Sequence, residues 1–135
     1  MYKILVYLLA IQHHAKNIHY HCAGSTFWAD HLLADKVFDG LQDLMDEINE
    51  KYYMGKEEST PQQTRLLEDA AELVPEAIDD MTVAFKQLDS LILSCIDELE
   101  TVAELESLTV GDNDLIGRIG SDMQQKHGFL WRRLK

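Results

Sequence analysis

Five residues of metal-binding type stand at regular intervals in the first part of the chain: His19, His31, Asp35, Asp46 and Glu50. His31 and Asp35 are four residues apart, as are Asp46 and Glu50, so on a helix each pair places two side chains within reach of one ion. On one straight helix, at about 100° per residue, these four fall within roughly 100° of arc on a single shoulder. Asp35 and Asp46 are nevertheless eleven residues apart. That is about 16 Å along a helix axis, which no single ion spans. The spacing therefore describes two half-sites. An antiparallel copy of the same helix across a two-fold axis completes both, because each His31/Asp35 end then meets the partner's Asp46/Glu50 end. The competing reading of any one pair is a set of acids solvated on an exposed helix face.

The elements that must position these residues are helices. Phe27, His31, Ala34, Phe38, Leu41, Met45, Ile48 and Tyr52 recur at steps of four and three, which predicts one long amphipathic helix B, closed by Gly55. A second stripe from Ile78 to Val102 predicts helix C, with Pro75 at a first helical position. "GDND" (111–114) reads as a turn, Leu115, Ile119, Met123, Leu130 and Leu134 mark helix D, and Ile4, Leu8, Ile11 and Ile18 mark helix A. The segment 56–74 is too long for a hairpin, and "STPQQTRLLEDAAEL" offers a cap, a first-turn proline and helical spacing for a short extra helix. The expected class is all-α: a ferritin-like four-helix bundle with a long B–C crossover carrying a short helix. Gly117, Gly120 and Gly128 in helix D predict a bend or a close helix approach.

At 135 residues the chain suits a single domain spanning 1–135, small enough that assembly would add much of its buried surface. Twelve Lys and Arg against twenty-four Asp and Glu give a net charge of -12, which repels nucleic acid and anionic membranes and attracts cations. No apolar run approaches the roughly 20 residues of a membrane span. "ILVYLLAI" lacks a following cleavage site and reads as mature helix. Cys22 and Cys95 form no C-x-x-C pair and fit a reducing cytoplasm, with Cys22 as a small, partly buried residue. No histidine has a Glu three residues before it, which argues against a di-metal centre built inside one bundle.

The ordered set resembles the Dps mini-ferritins. Their pattern of a His, a Gly five residues on, an aromatic eight on and a second His twelve on is matched by His19, Gly24, Phe27 and His31. An Asp four residues later, and an Asp and Glu fifteen and nineteen after the second His, are matched by Asp35, Asp46 and Glu50. The resemblance spans nearly the whole chain, with "FLWRRL" similar to the family's last helix. It implies dimer-interface ferroxidase centres with His19 and His31 as nitrogen ligands, Asp35 nearby, and Asp46 and Glu50 from a two-fold partner. It also implies Fe(II) oxidised by hydrogen peroxide, a ferric store in a dodecameric homo-oligomeric shell, and protection from peroxide. Imidazole with carboxylates suits iron, with zinc or manganese as other occupants.

Several residues depart from the pattern. The usual "HWN" reads "HYH", with Tyr20 and His21 in the last two places. Lys16, three residues before His19, is placed to hold a site carboxylate when iron is absent or else is solvated. His13 and His14 are expected at the surface or core edge. The chain opens directly in helix A without a lysine-rich tail, so DNA binding is not expected, and Arg132, Arg133 and Lys135 read as a helix C-terminal feature. Asp112, Asp114 and the run "DELETVAELE" (97–106) suit either an ion-entry pore or a solvated face. The alternative to a ferroxidase is a ferritin-like oligomer that binds metal, or only packs, without turnover.

Overall fold

The first helix, α1 (Tyr2–His21), is apolar over most of its circumference: Ile4, Leu5, Leu8, Ile11 and Ile18 are all buried. A helix with so wide an apolar arc belongs at the centre of a bundle. It packs against α2 (Phe27–Phe38), α3 (Leu41–Glu47), α4 (Gln63–Leu73) and α5 (Met81–Ala103). The final helix α6 (Val110–Leu134) lies on α5, α2 and the π-helix π1 (Ile48–Tyr53) that continues α3. This computed structural model describes residues 1–105 and 107–135. Glu106, the last acid of the run considered for a pore, lies outside the described residues. Among the described residues there is no strand, and no helix is long and apolar enough to cross a membrane.

Four long helical units with the short α4 in the crossover give the ferritin-like bundle that the stripes predict. Three boundaries differ. Helix α5 starts at Met81, where Asp80 caps it by accepting from the Val83 N–H at 3.1 Å, so Pro75 and Ile78 precede the helix. Pro61 likewise lies just before the extended Gln62 that leads into α4. "GDND" is no turn but the first turn of α6, fixed by a capping box between Thr109 and Asp112. The helix D glycines support no close approach within the chain, since no atom lies within 4 Å of where a Cβ would stand at 117, 120 or 128.

The predicted helix B is not one helix. Asp39 turns to an extended ψ of 132° and Gly40 adopts φ +77°, a conformation that glycine takes freely and an L side chain does not, so the chain breaks between α2 and α3. Beyond the break the ladder widens: the Met54 N–H donates to the Asn49 carbonyl five residues back. The buried residues there are Ile48 and Tyr53, five apart, so Tyr52 drops out of the expected stripe. His14 is no edge residue either; at 1% exposure it sits in the core with Nε2 donating to the Ala84 carbonyl at 3.0 Å.

Candidate metal centre

The α1–α2 connection brings the two histidines face to face. Cys22 closes α1 by donating its N–H to the Ile18 carbonyl at 2.9 Å, and Gly24, at φ +86°, reverses the chain into α2. Cys22 is buried in this turn, as expected, with Sγ 3.7 Å from the His19 carbonyl. His19 ends up on the last turn of α1 and His31 on the second turn of α2, their rings stacked with centroids 3.5 Å apart and planes 19° from parallel. Phe27 stacks on the outer face of His31 at 4.9 Å, and Phe38 meets His19 edge-on at 5.2 Å. The aromatic eight residues after His19 therefore has a mechanical role: it fixes the plane of His31.

The hydrogen bonds within this stack are reciprocal. His31 Nδ1 lies 2.7 Å from the His19 carbonyl, and His19 Nδ1 lies 3.0 Å from the His31 carbonyl. A carbonyl oxygen only accepts, so both Nδ1 atoms carry the proton and, in the neutral rings, both Nε2 atoms keep a lone pair. Neither Nε2 has a hydrogen-bond partner among the described residues. A second-nitrogen bond to a carbonyl is what orients an imidazole for a metal. His31 also serves α1, because the His19 carbonyl belongs to the last turn and has no partner within the helix.

Around the pair, Trp28 and Leu32 stand exposed one turn apart on α2, and Tyr20 lies edge-on to His19 at 5.4 Å with its ring in solvent. His21 is also exposed, its Nδ1 2.8 Å from the Asn17 carbonyl. Lys16 has no carboxylate partner among the described residues; its ammonium sits 5.9 Å from the Phe38 ring centre.

Of the five residues proposed from sequence, one chain brings together only His19 and His31. Asp35 is exposed one turn beyond His31, and its carbonyl takes the last backbone bond of α2, from Asp39, at 3.0 Å. Asp46 and Glu50 are exposed beyond the break, on α3 and π1; Asp46 accepts from the Gln42 amide at 3.1 Å. Among the described residues no three His, Cys, Asp or Glu side chains converge on one point. The break at Gly40 also means that the arc of the four residues is not set by one straight helix.

Two supporting residues escape a sequence reading. Asp30, fully buried beside His31, accepts from Thr26 Oγ at 2.9 Å and from Arg133 Nε at 3.0 Å, tying the start of α2 to the end of α6. Arg133 is therefore an inward partner, unlike the exposed Arg132 and Lys135. Lys126, 4% exposed, donates from Nζ to the Asp39 carbonyl at 3.0 Å and pairs with Asp122. The available signal is a charged residue on an apolar stripe: Asp30 precedes Ala34, Val37 and Leu41, and Lys126 stands between Met123 and Leu130.

Neither a protein-family model nor a curated protein matches this sequence. Among solved structures, the chain is similar to the Dps of Microbacterium arborescens in its high-iron form, with TM-score 0.78 and 21% identity over 98% of this chain and 90% of that one. It is also similar to Dps92 of Deinococcus radiodurans, with TM-score 0.65 and 16% identity over 98% of this chain and 81% of that one. The fold of this chain is thus the ferritin-like bundle of the Dps structures.

Proposed function

We propose that the protein is a mini-ferritin that oxidises Fe(II) at centres shared between two-fold-related chains and keeps the ferric product in an oligomeric, dodecameric shell, protecting the cytoplasm from peroxide. The observation that carries this reading is the reciprocal bonding of His19 and His31, which leaves two Nε2 lone pairs free on adjacent, fixed rings. The likeness to a Dps structure in a high-iron form supports iron as the substrate, with zinc or manganese as competitors for the same donors.

In this reading His19, His31 and Asp35 hold Fe(II) from one chain, while Asp46 and Glu50 close the centre from the second. Exposed Trp28 and Leu32 offer apolar surface beside the imidazoles for that second chain to cover. Carboxylates favour the higher charge of the product, so the donor set stabilises Fe(III) over Fe(II) and lowers the barrier to electron loss. The balance is two Fe(II) and two protons per hydrogen peroxide, giving two Fe(III) and two waters. DNA is not an expected partner at a charge of -12 per chain.

The His19–His31 bonds also cap α1, which favours a second reading, a ferritin-like oligomer with structural histidines and no turnover. Mixing half-sites separates the two. The double variants His19→Ala/His31→Ala and Asp46→Ala/Glu50→Ala should each be inactive alone. Refolded together in equal amounts, half the dimers are mixed, and each has one intact centre of two, so about a quarter of wild-type oxidation should return. Verified mixed oligomers that stay inactive would refute the shared centre.

A further inference from the structure

The two ligand pairs lie on opposite sides of the Gly40 break: His31 and Asp35 on α2, Asp46 and Glu50 on α3 and π1. Packing on α1 seats both segments through buried Val37 and Leu41, but Gly40 itself contributes nothing that fixes the angle of the break. Gly40 is exposed and no atom lies within 4 Å of where its Cβ would be. Glu50 is ten residues from Gly40, about 15 Å of helix, so a rotation of about 10° at the break moves its carboxylate by about 2.5 Å. Metal–ligand distances tolerate only about 0.2 Å. A centre assembled from two chains needs this angle fixed before they meet.

Helix α6 supplies the constraint. Four of its residues, Asp112, Arg118, Lys126 and Arg133, are spaced by six, eight and seven, which spreads them over about 120° of the helix on the side toward the opposite unit. They reach the opposite unit in antiparallel order. Asp112 binds Lys56 just beyond π1; Arg118 Nη1 meets Glu47 of α3 at 2.7 Å; Lys126 meets the Asp39 carbonyl at the break; Arg133 meets Asp30 of α2. Lys126 is the tie that acts on the break itself. The extended ψ of Asp39 turns its carbonyl out of the α2 ladder, and the buried ammonium fills that vacancy while Asp122 neutralises it at 3.0 Å. An ammonium buried this deeply is costly without partners, so it holds both tightly.

We propose that Lys126 is a positioning residue for the shared centre: by capping the Asp39 carbonyl it sets the angle between the two ligand pairs of each chain. The proposal rests on the shared-centre reading above. It is tested with Co(II) alone as the probe, titrated into the native oligomer and followed by its visible absorption. Wild type should show a Co(II) site that is lost in both His31→Ala and Glu50→Gln. Lys126→Met should keep the native mass yet bind Co(II) about tenfold more weakly, with an altered absorption envelope. Lys126→Arg, which retains a donor for the Asp39 carbonyl, should recover part of the affinity. Ile92→Val, a change in the apolar core of α5 that removes none of the bonds of Lys126, should lower the unfolding temperature without changing the Co(II) spectrum. A wild-type spectrum and affinity in Lys126→Met, or an equal loss in Ile92→Val, would overturn the role of Lys126. Should Lys126→Met not assemble, Asp122→Asn, which keeps the lysine but removes its charge partner, should weaken Co(II) in the same direction; an unchanged affinity overturns the proposal. A wild-type protein whose Co(II) site ignores either His31 or Glu50 overturns the shared centre, and this proposal with it.

Discussion

At the scale of single residues, three histidines of one chain meet two different fates, and hydrogen-bond partners decide them. His19 and His31 donate through Nδ1 and present Nε2; His14 donates through Nε2 and keeps a buried Nδ1 without a partner. The tautomers are directly testable. In the metal-free protein at mildly alkaline pH, nitrogen NMR should show His19 and His31 protonated at Nδ1, and a proton on either Nε2 would contradict the geometry. His14 makes a stability prediction. Burial holds its pKa below the ordinary value, against the smaller opposing pull of the Ala84 carbonyl. As pH falls through about 6.5 the unfolded chain takes up a proton that the folded one refuses, so stability declines from there down to the lowered folded pKa. His14→Leu should abolish this contribution. The gap between wild type and variant in denaturant titrations should shift by at most about 1.4 kcal/mol per pH unit in that window, and no shift would contradict the burial argument.

At the scale of elements, the break at Gly40 and the docking of α6 carry the predictions. Gly40→Ala forces a side chain into the left-handed region and should cost about 1–2 kcal/mol in chemical unfolding, although it meets no neighbour. The Lys56–Asp112 pair pins the crossover to the first turn of α6. Burial pushes the Asp112 carboxyl up, but the Lys56 ammonium and the Thr109 N–H and hydroxyl together outweigh it and leave the pKa below the usual carboxylate range. That stability is complete above about pH 4 and is lost as pH falls through the lowered value. Lys56→Met should therefore cost about 1.5 kcal/mol near neutrality, and the difference should vanish in acid. A constant difference across pH would refute the pairing. The same elements show what a sequence can reveal. The stripes of α5 and α6 follow one apolar face each, so their periodicity survives inspection. The stripe of helix B also runs unbroken by count from Phe27 to Met45, which hides the break, although Asp39-Gly40 is itself a turn dipeptide. The π-helix left only a step of five, from Ile48 to Tyr53, and the Asp30–Arg133 pair joins residues 103 positions apart, beyond any periodic signal. The spacing of the five candidate ligands was legible; that His19 and His31 would orient one another was not, because the acceptors are main-chain atoms.

At the scale of the whole molecule, the proposed shared centre makes assembly the first thing to test. Native mass measurement should find an oligomer built on two-fold dimers, and a monomer would exclude a shared centre. Gel shifts with duplex DNA at physiological salt should show no complex, since the charge of -12 multiplies with every added chain. Binding that weakens steeply with salt would prove this wrong. The crossed imidazole–carbonyl bonds finally bear on how such a molecule tolerates mutation. Both acceptors are peptide oxygens, which any sequence following this backbone possesses. No substitution at a neighbouring position can delete them. The aim of the two rings is thus inherited with the path of the α1–α2 turn, and drift in surrounding side chains leaves it untouched so long as two histidines and the glycine at that turn persist.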